Sequence, residues 1–201
     1  AVSPVTSKSA ACASAVAAAM YNPSSWPALN AALESALKGS PAAMFALADL
    51  LTGRQKDGSY TNELEANIAI DCADRPAASA SIEAAAASAL AGRADGPTFG
   101  ELLGWGNSAC IGWPVAAELA PGPVRAAGAP PILVIGTTRD PATPIAWAES
   151  VAHQLESGVL VTWDGDGHTA DLRSACVDTI LTAYVVSLKA PANGTACPSS
   201  G

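Results

Sequence analysis

The chain is short of positive charge. Ten Lys and Arg residues stand against 18 Asp and Glu in 201 residues, for a net charge of −8. Phosphate binding needs a basic surface, so nucleic acid is excluded as an expected partner. The same shortage leaves no polybasic segment to hold an anionic membrane. Long apolar runs are missing too, and nothing approaches the roughly 20 residues needed to span a bilayer. Histidine occurs twice, and the five cysteines form no C-x-x-C pair. Neither histidine lies near them at zinc spacing, so no metal site and no cofactor are expected. The start, Ala1-Val2-Ser3-Pro4, lacks the charged and apolar regions of a signal peptide, so in an exported protein it would not be the precursor N-terminus. A strict Gly-x-Ser-x-Gly motif is also absent.

Half of the chain is apolar, enough to bury a core. Much of that half is alanine, which forms helix readily and buries little area per residue. The length suits one domain or a piece of a larger one. Scattered cysteines in an acidic, lysine-poor chain fit disulfides in an oxidising compartment, with buried free thiols as the alternative. The odd count leaves at least one cysteine free or bonded outside the chain.

Three textures divide the chain. Residues 1–105 read as helical hairpins, with helices opening at Ser25-Trp26-Pro27, Ser40-Pro41, Thr61-Asn62-Glu63 and Ser79 or Ser81. The first, second and fourth of these are expected to stop at Gly39, Gly53 and Gly92, and the third to reach Ile70 or Cys72. Residues 106–129 are a looped connector rich in Gly, Pro and Trp. Residues 130–201 alternate strand, helix, strand, helix. The strands are Pro131–Gly136 and Gly158–Trp163, with a helix from Thr143-Pro144 between them and another over Leu172–Leu188. The tail Ala190–Gly201 is expected to be irregular. Two parallel strands make a poor sheet by themselves, because parallel sheets are normally buried on both faces. Missed strands in the connector or residues outside this chain would have to complete it.

Each strand runs into a titratable side chain. The first is followed by Thr137-Thr138-Arg139-Asp140, the second by Asp164-Gly165-Asp166-Gly167-His168. In parallel sheets, chemistry collects at the carboxyl ends of the strands. A right-handed βαβ crossover sets the two ends side by side or one strand apart. An acid followed by a histidine is the last part of a Ser…Asp…His triad. His168 would act as general base and Asp140 would orient it. Separately, Asp140 also fits a turn that caps the next helix, and His168 a loop histidine. His153 lies inside the crossover helix and reads as a surface residue. Gly106-Asn107-Ser108-Ala109-Cys110 is the nearest match to a nucleophile elbow, but it lacks the second glycine and a preceding strand.

Pro131-Ile-Leu-Val-Ile-Gly-Thr-Thr-Arg-Asp-Pro-Ala-Thr-Pro144 and Asp164-Gly-Asp-Gly-His168 resemble secreted tripeptidyl aminopeptidases, the TAP-like α/β-hydrolases of actinobacteria. Ser174-Ala175-Cys176, the ending Ala-Pro-Ala-Asn-Gly-Thr-Ala-Cys197 and Ala69-Ile-Asp-Cys-Ala-Asp74 extend the likeness. The resemblance implies an α/β fold: the last βαβα of an α/β-hydrolase sheet with an N-terminal helical cap. It implies a serine peptidase in which Asp140 is the triad acid and His168 the base. It pairs Cys176 with Cys197, and Cys72 plausibly with Cys110. It makes Asp74 and Glu65 candidates for meeting the ammonium group of a short peptide substrate, against the simpler reading of a solvated helix face. The family's serine elbow is absent here, so the implied partner is an N-terminal segment of the same enzyme, which would also offer a partner for Cys12. Without that segment the chain is expected to be inactive. The implied location is secreted or in the cell envelope. The alternatives are a non-catalytic binding module derived from the fold, with Trp105 and Trp113 on its surface, and an esterase or lipase fragment.

Overall fold

The computed structural model describes residues 7–117 and 122–199. Ala1–Pro4 and the last two residues of the tail lie outside the described residues. The chain forms two compact units, one from residues 1–18 and 28–121, the other from residues 19–27 and 122–201.

The first unit is helical. It is built from most of α1 (Ser7–Met20) and α2 (Trp26–Leu37), then α3 (Ala42–Thr52), α4 (Glu63–Asp74), α5 (Ile82–Asp95) and the short α6 (Gly100–Gly104), followed by a 3₁₀ turn at Trp105–Ser108. Local signals set several ends. Gly53 closes α3 in the left-handed conformation at φ 69°, and its N–H bonds back to Asp49. Ser81 caps α5 by accepting from the Ala84 N–H. The buried side chains here are mostly small: Ala15, Ala32, Ala48, Ala85 and Ala89, with Leu29 and Met44. Small side chains let backbones approach closely. A Cβ on Gly104 would lie 2.6 Å from the Ala89 Cα, and one on Gly92 would lie 2.5 Å from the Gly100 carbonyl oxygen. Gly92 is therefore a packing residue, and α5 runs past the expected stop to Asp95. The Cys72–Cys110 disulfide ties α4 to the loop after the 3₁₀ turn.

The second unit is α/β. Its order is β1 (Ile132–Arg139), α7 (Ile145–Gln154), β2 (Gly158–Asp166), α8 (Ala175–Ser187) and β3 (Thr195–Cys197). The sheet is parallel throughout, in the order β1-β2-β3. Alternation along β1 assigns its two faces. Leu133 and Ile135 pack with Val161, Trp163, Val177 and Ile180, so α8 covers that side. Gly136 points to the other side, where a Cβ would crowd Ile145 and Ala148 of α7.

The tail departs from expectation. Thr195–Cys197 pairs with Val161–Trp163 as a third strand. Three residues between prolines carry no readable alternation, so tertiary contacts decide the strand. Asn193 Oδ1 accepts from the Leu160 N–H, Gly194 turns at φ 80°, and Cys176–Cys197 bonds the strand to α8. The last helix also begins later than Leu172. Leu172 is at φ 60°, and Ser174 caps the helix by accepting from the Val177 N–H.

Candidate active site

The ladder between β1 and β2 is regular from Ile132↔Gly158 to Thr137↔Trp163, then shifts so that Arg139 pairs with Asp166. One extra residue on β2 makes a bulge, which bends a strand and re-aims the side chains that follow. Asp140 and His168 leave the sheet just beyond it.

Asp140 is almost wholly enclosed, with its side chain 3% exposed. Its Oδ1 accepts from the N–H groups of Ala142 and Thr143, at 2.9 Å each. Its Oδ2 accepts from the Thr143 hydroxyl at 2.8 Å and the Thr169 N–H at 3.3 Å. The same carboxylate faces His168 Nδ1 at 3.0 and 3.1 Å. Asp140 therefore closes the turn after β1 and faces the histidine at once, but it does not cap α7, whose N-cap Pro144 has no side-chain capping bond. Burial by itself would raise its pKa. The N–H groups of Thr143 and Ala142, the Thr143 hydroxyl and His168 outweigh burial and bring it down to about 2. A carboxylate against Nδ1 holds the proton there and leaves Nε2 as the basic nitrogen.

The His168 loop is tightly determined. Gly167 stands at φ 92° and Thr169 at φ 68°. A β-branched residue at positive φ is an outlier that the surroundings must enforce. Arg139 spans the strand ends, donating from Nε and Nη2 to both oxygens of Asp166 and from Nη1 to Asp164 at 2.6 Å. Those bonds hold the Asp166 carboxyl below its ordinary range. Tyr21 completes the surroundings. Its carbonyl accepts from the His168 N–H at 2.9 Å, and its ring lies edge-to-face with the imidazole at 5.0 Å between centroids.

A groove of about 440 Å³ is lined by residues from both faces of β1. Trp147, Ala148 and Val151 of α7 and Leu181 of α8 line it together with Asp140, Thr143 and Thr169. Among the described residues β1 is an outer strand of the sheet, so the groove follows an open edge.

Other residues singled out in the sequence lie elsewhere. Asp74 and Glu65 are exposed on α4, in the helical unit, whereas Asp140 and His168 belong to the α/β unit. Ser108 sits in a 3₁₀ turn after a helix, and its hydroxyl donates to the Trp105 carbonyl at 2.7 Å. It does not occupy a strand-to-helix elbow. His153 is exposed near the end of α7. Cys12 is exposed and unpaired. Among the described residues, no group of three or more His, Cys, Asp or Glu is arranged to hold a metal ion, and no helix is long and apolar enough to cross a membrane.

Residues 96–197 match the family described as TAP-like protein. Over 183 residues the chain is 33% identical to the Serine protease Hip1 of Mycobacterium tuberculosis, an alignment covering 89% of this chain. The chain belongs to the TAP-like family. Its α/β unit is part of an α/β-hydrolase fold. It is also 34% identical over 183 residues to Carboxylesterase B of Mycobacterium tuberculosis, again over 89% of the chain. The chain spans 35% of the length of each of these relatives.

Sequence reasoning missed several neighbours of His168. The Asp-Pro-Ala-Thr spacing could have pointed to Thr143 as a partner of Asp140, because a carboxylate often bonds a hydroxyl and N–H three residues on. Arg139 stands beside Asp140 but carried no role until its fork was seen on Asp166. Tyr21 gave no signal at all.

Proposed function

We propose that this chain supplies the acid and base of a Ser-Asp-His triad in a serine peptidase. The observation that carries the reading is the enclosed Asp140 carboxylate on His168 Nδ1. In this mechanism Nε2 takes the proton from a serine hydroxyl as the oxygen attacks the scissile carbonyl. His168 then returns the proton to the leaving amine. Asp140 holds the tautomer and stabilises the imidazolium without itself accepting the proton. Its depressed pKa suits that role, because a carboxylate that stays ionised keeps the imidazolium's charge partnered.

The serine belongs to a partner segment of the same enzyme, outside this sequence. The apolar groove along the open edge of β1 supports this, since an added parallel strand would fill it and end near Asp140. The coverage of 35% of each relative supports it as well. Residues 1–105 act as a cap that admits short peptides, with Asp74 or Glu65 meeting the free ammonium group. Residues 106–129 connect the cap to the C-terminal segment, residues 130–201. Two disulfides fit an oxidising compartment, secreted or in the cell envelope.

A second reading, an esterase, is favoured by the likeness to Carboxylesterase B. The test begins with the assembled enzyme and a fluorophosphonate probe, which labels an activated serine. Labelling is expected on the serine-bearing segment and is expected to vanish in His168→Ala. Undiminished labelling in that variant removes His168 from the mechanism. Matched peptide-amide and ester substrates then separate peptidase from esterase.

A further inference from the structure

The linker between α1 and α2 belongs to the α/β unit, although both helices continue into the helical unit. Its conformation is set locally. Asn22 Oδ1 accepts from the Ser24 N–H at 3.1 Å, and Pro23 opens a 3₁₀ turn. The Tyr21 carbonyl then receives two donors from the other end of the sequence, the His168 N–H at 2.9 Å and Arg173 Nη2 at 3.0 Å. Arg173 Nη1 also donates to the Asp166 carbonyl at 3.2 Å, so one guanidinium joins the linker to the histidine loop. Gly167 allows the approach. A Cβ there would lie 2.8 Å from the Tyr21 oxygen and 2.9 Å from Pro23 Cδ. With its backbone pinned in this way, Tyr21 lays its ring against the imidazole at 5.0 Å and 70°.

We infer that Tyr21 is a positioning residue for His168: its ring fixes the orientation of the imidazole that Asp140 holds through Nδ1. A histidine held through one nitrogen can still tilt and swing about that bond. A second, perpendicular ring removes much of that freedom without competing for either nitrogen. Tyr21 lies outside the stretch that matches the family, residues 96–197. The inference rests on the triad reading for its effect on catalysis, but not for its effect on the ring.

Aromatic pairs of this kind contribute enough to hold one ring orientation over its competitors by roughly twofold to tenfold. In the assembled enzyme, Tyr21→Ala is therefore expected to lower kcat by about that factor while KM changes little. Tyr21→Phe, which keeps the ring, is expected to restore kcat. In NMR spectra of this chain, the His168 Hα–Hβ couplings, which report the side-chain rotamer and not the neighbouring ring current, should average in Tyr21→Ala and keep their wild-type values in Tyr21→Phe. Tyr21→Leu keeps bulk without aromaticity and should behave as Tyr21→Ala, which keeps the question answerable if the alanine variant does not fold. Wild-type kcat and unchanged His168 couplings in folded Tyr21→Ala or Tyr21→Leu overturn the inference. So does a Tyr21→Phe variant as impaired as alanine. If His168→Ala keeps its labelling, the triad reading fails separately, and the His168 couplings still decide whether Tyr21 orients the ring.

Discussion

Replacing Asp140 by Asn tests the centre of the site by two independent routes. Asn keeps an oxygen that can accept from the Ala142 and Thr143 N–H groups. Its NH₂, however, must take a position where Asp140 accepts from the Thr143 hydroxyl, the Thr169 N–H or His168. The folded carboxylate has its pKa drawn from 3.8 to about 2. A depressed pKa means the ionised form is favoured in the folded state. The stabilisation is therefore fully present above pH 4, declines as the pH falls through the folded value near 2, and is gone below it. A shift of this size corresponds to about 2 kcal/mol. The side chain is almost completely enclosed, so solvent screening removes little of that.

Urea unfolding of wild type and Asp140→Asn, from pH 7 down to pH 2, measures the effect. Other carboxylates titrate in both proteins and cancel in the difference. Because the chain forms two units, the transition is best followed at the amide signals of Val161 and Val177, which are buried in the core of the α/β unit. Wild type should exceed the variant down to about pH 4, and the gap should shrink by about 2 kcal/mol below that. A gap that stays flat to pH 2, or that closes already above pH 5, refutes the argument. In the assembled enzyme the same substitution should lower kcat by something on the order of 10⁴, the cost of losing the right histidine tautomer. Near-normal turnover would leave Asp140 with a turn-closing role alone.

Two further substitutions probe what holds the site in place. Arg139→Met removes the fork between the strand ends. It should displace the amide signals of Gly165 to His168 and slow probe labelling, and Arg139→Lys should restore little, because an ammonium cannot bridge both Asp166 oxygens in the same plane. Unchanged signals in the methionine variant would show that the bulge alone sets the loop. Cys176→Ser with Cys197→Ser opens a loop of sequence separation 21 and should cost about 3 kcal/mol, with Thr195–Cys197 losing hydrogen-exchange protection first. Protection in β3 equal to that in β2 would show that the strand is held by its ladder.

The legible and illegible parts of this molecule differ in where their determinants lie. β1, α7 and β2 can be read because each carries its own signal: unbroken apolar runs for the strands, helical spacing of Trp147, Val151 and Leu155 between them. One rule about parallel crossovers then brings Asp140 near His168 without knowledge of any other contact. β3 could not be read, because Thr-Ala-Cys has no pattern of its own. Its strand form comes from Asn193, Gly194 and a disulfide. Gly92 was misread for the related reason that a glycine marks either a stop or a close approach, and only the Gly100 carbonyl against it decides which. Tyr21 is the extreme case. Nothing in Met-Tyr-Asn-Pro differs from an ordinary helix end, and its partner Arg173 lies 152 residues away. Strand-end reasoning finds groups that act on a substrate, because those must sit where the sheet opens. It is blind to groups that act on those groups, because they can arrive from any segment able to turn tightly enough. The tightness does leave traces: glycine at position 167 and a threonine at positive φ in position 169 show that the loop is held from outside the sheet. In the sequence, Gly167 can be noticed but not interpreted. In the fold it marks where the linker presses.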